Sequence, residues 1–75
     1  MNQIDTDIRS NVALAKSKSL EYRDRLVSVY LMRRRNSGRI LSAGVRFDDQ
    51  CSGFDDGDYR WILHRTFRNG EEVAN

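Results

Sequence analysis

The chain has 75 residues and a formal net charge of +2 at pH 7, with thirteen Lys or Arg against eleven Asp or Glu. This length supports one small domain, 1–75, whose core by itself supplies only a few kcal/mol of stability. A single cysteine excludes an intrachain disulfide, and one Cys with one His cannot complete a tetrahedral zinc site. We therefore predict no metal and no cofactor, and we expect oligomerisation or docking on another protein to add stability.

The sequence gives no indication of a membrane segment. No apolar run is long enough to cross a bilayer, and residues 1–7 are polar instead of forming an apolar signal region. The unpaired Cys51 suits a reducing compartment. We therefore expect a soluble cytoplasmic protein with no membrane partner.

The first predicted element is a long amphipathic helix over 5–37. This stretch contains neither Gly nor Pro, and Asp5 or Thr6 can cap its start. Arginines occupy its last turn, and Gly38 follows as a typical left-handed terminator. Apolar and small residues recur at alternating steps of four and three, which places them on one helix face. That face consists of Ile8, Val12, Ala15, Ser19, Tyr22, Leu26 and Val29.

This helix is too long for the domain that contains it. Residues 6–36 would span about 46 Å at roughly 1.5 Å per residue, whereas a globule of this chain length is only about 30 Å across. Either the helix breaks near 17–19 into two packed helices, or its surplus apolar face meets another chain. The heptad-like spacing favours the second alternative. The residues of this predicted protein interface are Leu20, Tyr22, Leu26, Val27, Val29, Tyr30 and Leu31.

Two strands are predicted after the helix. Side chains alternate in polarity over 39–47 and again over 59–67, which indicates an antiparallel β-hairpin. Residues 71–75 are short and polar, so we expect a tail or a fragment of strand there. The predicted fold class is α+β, with a long N-terminal helix packed on a C-terminal antiparallel hairpin. The residues expected on the helix-facing side of the second strand are Tyr59, Trp61, Leu63 and Phe67, with Arg65 extending outward from the same side.

The hairpin connection, 48–58, is rich in aspartate and long for a loop between two strands. Its carboxylates do not match a calcium loop, because the twelfth position counted from Asp48 is Tyr59 and not Glu. Three interpretations remain: a solvated acidic turn, a docking loop for a basic partner surface and a loosely held divalent cation. The residues of the docking interpretation are Asp48, Asp49, Phe54, Asp55, Asp56 and Asp58.

Arginine outnumbers lysine by eleven to two, and the positive charge is concentrated in the first half of the chain. Guanidinium groups bind carboxylates and phosphates bidentately. The basic cluster can therefore compensate the dipole of the predicted helix, bind phosphates of RNA or DNA, or bind an acidic protein. The residues predicted for phosphate or acidic-partner contacts are Arg33, Arg34, Arg35, Arg39, Arg46 and Arg60.

The sequence assembles no catalytic group. It has no phosphate-binding glycine loop and no nucleophile elbow, and neither His64 nor Cys51 has a partner at a suggestive spacing. We therefore predict a non-enzymatic protein-interaction module, a regulator, adaptor or inhibitor of the kind that phages and plasmids encode. It would associate with another copy of itself or with a target protein, and no small-molecule substrate is expected. The alternative is a nucleic-acid-binding regulator that uses the arginine cluster.

Overall fold

A computed structural model describes residues 3–47 and 55–73 of the chain. The strands within these ranges form one antiparallel sheet in the order β2-β1-β4-β3, and β5 also pairs with β4. The helix packs against one face of this sheet, which confirms the predicted α+β class. The elements are α1 (Gln3–Glu21), β1 (Val27–Arg34), β2 (Ile40–Phe47), β3 (Asp55–Asp56), β4 (Tyr59–Arg68) and β5 (Glu71–Glu72).

The helix is much shorter than predicted. The backbone N–H of Tyr22 donates to the carbonyl of Lys18 at 2.8 Å, and the chain then turns, with the N–H of Arg25 donating to the carbonyl of Tyr22 at 3.1 Å. The prediction of helix beyond Glu21 is wrong, and α1 also runs without a break through 17–19. Neither Gly nor Pro marks this end of the helix, so the sequence carries no local stop signal there.

Residues 27–34 form β1, the central strand of the sheet, where the sequence predicts the second half of the helix. Val and Tyr lose side-chain freedom in a helix and fit a pleated surface well. Val27 lies opposite Phe47 on one side and opposite Phe67 on the other. Pairing on both edges buries Val27 and Val29 completely, and this burial favours the strand over the helix.

The predicted strands are present within one residue of their expected bounds, as β2 and β4. They differ from the predicted hairpin because they do not pair with each other: β1 lies between them. The sheet is therefore wider than a hairpin, and α1 contacts β2, β1 and β4.

A β-bulge at His64 divides β4 into two parts. Val29 of β1 lies opposite Arg65, whereas the next residue, Tyr30, lies opposite Leu63, so His64 is an extra residue in β4. Side chains alternate between the two faces of a strand, and one extra residue therefore exchanges the faces on either side of it.

The bulge decides which aromatic side chains of β4 reach the helix. Phe67 lies opposite the buried Val27 and belongs to the core, as predicted. Trp61 lies opposite Met32, on the other face of the sheet, together with Tyr59 and Leu63. The prediction that these three residues share the face of Phe67 is wrong, because it assumes uninterrupted alternation along the strand.

Small residues on α1 let the helix approach the sheet closely. Ala15 and Ser19 are fully buried, and both belong to the predicted apolar face. The hydroxyl of Ser19 donates to the carbonyl of Lys16 at 2.7 Å and accepts from the N–H of Gly70 at 2.8 Å. Gly70 has φ of +80°, and a Cβ there would lie 2.7 Å from Cδ2 of Leu20. Glycine at this turn therefore lets the β4–β5 hairpin dock on the helix.

Candidate functional site

Three arginines surround one cavity of about 240 Å³ at the end of the sheet where β1 finishes and β4 begins. Arg33 lies directly opposite Arg60 on the neighbouring strand, and Arg35 and Ile62 complete the lining. All three arginines are exposed. We refer to this group of four residues as the arginine cavity.

Two turns meet at this end of the sheet and position the arginine cavity. The backbone N–H of Arg35, just after β1, donates to the carbonyl of Asp58 at 2.8 Å, which ties the β1–β2 turn to the β3–β4 turn. Nε of Arg33 donates to the carbonyl of Gly38 at 3.2 Å. Gly38 has φ of +69°, and a Cβ there would lie 3.1 Å from Nη2 of Arg33. Glycine at this turn therefore leaves room for the guanidinium.

Two arginines of the arginine cavity face each other across paired strands. Like charges directly opposite each other on paired strands repel, and Arg33 and Arg60 are such a pair. On the other side of β4, the backbone of Arg60 pairs with Asp55 of the edge strand β3. The strand pairing therefore gathers guanidinium groups, which bind carboxylates and phosphates, at one end of the sheet.

The structure separates the other arginines predicted for phosphate contacts. Arg39 lines a different cleft, between the start of α1 and the start of β2, together with Asp7 and Ile40. Arg34 lies opposite Tyr59 on the face of the sheet that α1 does not cover. Arg46 lies on that same face. The six residues are therefore not one cluster: three line the arginine cavity, two lie on the uncovered face and one lies in a separate cleft.

The residues predicted for a protein interface do not form one helix face. Val27 and Val29 are completely buried inside the chain, so they present no surface to a partner. Leu31 packs against the same core, and Leu26 and Tyr30 are half-buried. The two exposed members are Leu20, at 51%, and Tyr22, at 41%.

The predicted acidic loop is partly a strand. Asp55 and Asp56 form β3 and pair with Arg60 and Tyr59, and Asp58 lies in the turn that follows. The interpretation of 48–58 as a single loop is therefore wrong for its last part. Asp48, Asp49 and Phe54 lie outside the described residues.

The sequence pattern places the wrong residues of β4 on the face of the sheet that α1 does not cover, which we call the outer face. It is defined by the outward positions of β1, β2 and β4. One signal in the sequence pointed to the interruption of the alternation: Arg65 falls among residues assigned to an apolar side. In the structure Arg65 does share the helix-facing side with Phe67, and its Nη1 lies 3.6 Å from Oε1 of Glu72. The outward-facing residues are Ser28, Tyr30, Met32, Arg34, Ser42, Gly44, Arg46, Tyr59, Trp61, Leu63, Thr66 and Arg68.

Other kinds of site find little support in the described part of the chain. Residues 3–47 and 55–73 contain no group of three His, Cys, Asp or Glu placed to hold a metal ion. Within the same ranges, no helix combines the length and apolarity that a membrane span requires. Comparison of the chain with protein-family models, with curated proteins and with solved structures found no match.

Proposed function

We propose that this chain is a non-enzymatic nucleic-acid-binding protein that contacts phosphate groups through the arginine cavity. The observation that supports this proposal is the juxtaposition of Arg33, Arg35 and Arg60 around one exposed cavity, with two of them directly opposite each other. A phosphate group has the opposite charge and accepts hydrogen bonds from guanidinium groups, bidentate pairs included.

A polymer of phosphates suits this surface better than a single acidic side chain. Arg34 lies between Arg33 and Arg35 in the sequence but on the outer face, so the end of β1 presents positive charge on both sides of the sheet. A chain of phosphates can contact both sides, and each neutralised phosphate releases counterions that favour binding.

The experiment is a salt titration of binding to a fluorescently labelled oligonucleotide, followed by anisotropy. We expect the logarithm of the binding constant to fall linearly with the logarithm of salt concentration. Arg33→Ala and Arg60→Ala should each weaken binding and lower the salt slope by about one. Far-UV circular dichroism of both variants establishes that they remain folded.

The matched control is Arg23→Ala, which removes the same charge from an exposed turn between α1 and β1, at the opposite end of β1. It should leave the affinity nearly unchanged. Absence of binding at low salt would overturn the proposal. An equal loss of affinity in Arg23→Ala and Arg33→Ala would also overturn it, because it would mean that net charge and not the cavity determines binding.

Protein association remains a second candidate, and the exposed Leu20 and Tyr22 support it. The ring of Tyr22 packs edge-on against Phe47, with centroids 5.2 Å apart, and Leu20 contacts the β4–β5 hairpin at Gly70. An apolar patch at the end of α1 can bind a second copy or a target protein. Association that is insensitive to salt and lost in Leu20→Asp, measured by light scattering, would favour this function.

A further inference from the structure

The outer face carries large apolar and aromatic side chains that no element of the described chain covers completely. Tyr30 and Met32 of β1 lie there beside Trp61 and Leu63 of β4. The first three are half-buried, and Leu63 is 42% exposed. A sheet face of this kind gives planar rings a rigid support, since both neighbouring strands are held in register by β1.

Trp61 extends across the middle of the outer face. A Cβ built on Gly44 would lie 3.7 Å from Cζ3 and 3.8 Å from Cη2 of the indole, although β1 separates the two strands. The ring therefore reaches over β1 to the backbone of β2. The guanidinium carbon of Arg46 lies 5.8 Å from the ring centroid, which is within the range of a cation–π contact.

The charges of the outer face are of one sign over its three main strands. Arg34, Arg46 and Arg68 are exposed, and no Asp or Glu occupies an outward position of β1, β2 or β4. By register, Glu71 also lies on this side, on the edge strand β5. An anionic ligand therefore meets aromatic rings and arginines at the centre of the face.

We propose that the outer face binds single-stranded nucleic acid, with bases stacked on Trp61 and Tyr30 and phosphates bound by Arg34 and Arg46. This inference rests on the proposed function and names its ligand class. Bases of a single strand expose both faces for stacking, whereas bases of a duplex are stacked on each other. Aromatic rings interleaved with arginines on a sheet are the arrangement that such a ligand requires.

The outer face and the arginine cavity form one path for the ligand. Alternation along β1 places Arg34 on the outer face and Arg33 at the cavity, one residue apart at the same end of the strand. A flexible single strand can cross the outer face and pass around this end, so that its phosphates meet both groups. A rigid duplex cannot bend around the end of so small a domain without a large energetic cost of deformation.

The sole tryptophan of the chain is Trp61, which makes its fluorescence a direct report of stacking. The probes are an oligothymidine and an oligouridine of one length and a DNA duplex of the same length. We expect both single strands to quench the emission at saturation and the duplex to leave it nearly unchanged. Arg33→Ala should weaken binding but retain the quenching once the strand is bound.

Substitution separates stacking from charge. Trp61→Ala should weaken single-strand binding, measured by anisotropy of a labelled strand, by about 5- to 150-fold with no change in salt slope. Trp61→Phe should lose less, because the smaller ring still stacks. Leu63→Ala, on the same face, is the matched control and should lose less than either. If Trp61→Ala does not fold, Trp61→Phe and the quenching of the wild-type protein decide the question.

The outcomes distinguish this inference from the proposed function. Binding that persists without quenching, or an affinity that Trp61→Ala leaves unchanged, would overturn stacking and leave phosphate binding intact. Equal quenching by duplex and single strand would overturn the preference for single strands. Absence of binding to every probe would overturn both proposals.

Discussion

The two faces of the sheet share the same three strands but differ in what covers them. On the side of α1, Val27 and Val29 are completely buried and Phe67 is 4% exposed. On the outer face Trp61 is only half-buried and Leu63 is 42% exposed. Apolar residues on a sheet therefore do not identify its core, and in this chain they are divided between the face that α1 covers and the face that it does not cover.

The largest effect is expected from deletion of His64, which removes the extra residue of β4. Uninterrupted alternation then places either Phe67 on the outer face or Trp61 on the side of α1. Loss of Phe67 from the core costs about 3–5 kcal/mol, a large part of the roughly 4–11 kcal/mol expected for a domain of this size. The deletion variant should show no cooperative thermal unfolding transition by circular dichroism.

The control for this deletion is His64→Ala, which keeps the number of residues in β4. His64 is exposed, so the substitution should change the free energy of unfolding by less than about 0.5 kcal/mol. A deletion variant as stable as the wild type would show that the bulge does not hold the two halves of β4 on their faces.

A second experiment compares two side-chain truncations to alanine, one on each side of the bulge. Phe67→Ala removes a buried ring and should lower the free energy of unfolding by about 3–5 kcal/mol. Leu63→Ala removes a side chain that already contacts water and should cost about 1 kcal/mol. Urea unfolding measures both values. Equal losses would contradict the distinction between a covered face and an open one.

A smaller effect is expected at the polar pair of the outer face. Ser28 and Thr66 are buried, and their hydroxyl oxygens lie 2.9 Å apart. Ser28→Ala removes this hydrogen bond and should cost about 1–2 kcal/mol. In a double-mutant cycle with Thr66→Val, the two losses should sum to more than the loss in the double variant. Strict additivity, measured by urea unfolding, would indicate that the bond contributes nothing to stability.

The sequence predicted the secondary structure correctly where the spacing of apolar residues fits a helix or a strand but not both. The small residues Ala15 and Ser19 lie on the buried face of α1, as their spacing predicts. The bounds of β2 and β4 follow from alternation and are confirmed within one residue. The arginine residues were correctly singled out as charged groups, but their division between a cavity, a cleft and the outer face depends on strand pairing that a local pattern does not contain.

By itself, the sequence determined the class of the fold, the buried face of α1 and the strands β2 and β4. Each of these follows from the spacing of residues along the chain. Only the tertiary structure decided that 27–34 is a strand, since the spacing of its apolar residues fits both a helix face and a sheet face, and pairing on both edges selects the sheet. The same holds for the outward position of Trp61. One extra residue at His64 reverses the alternation, and its position depends on contacts with β1 that lie more than thirty residues away along the chain.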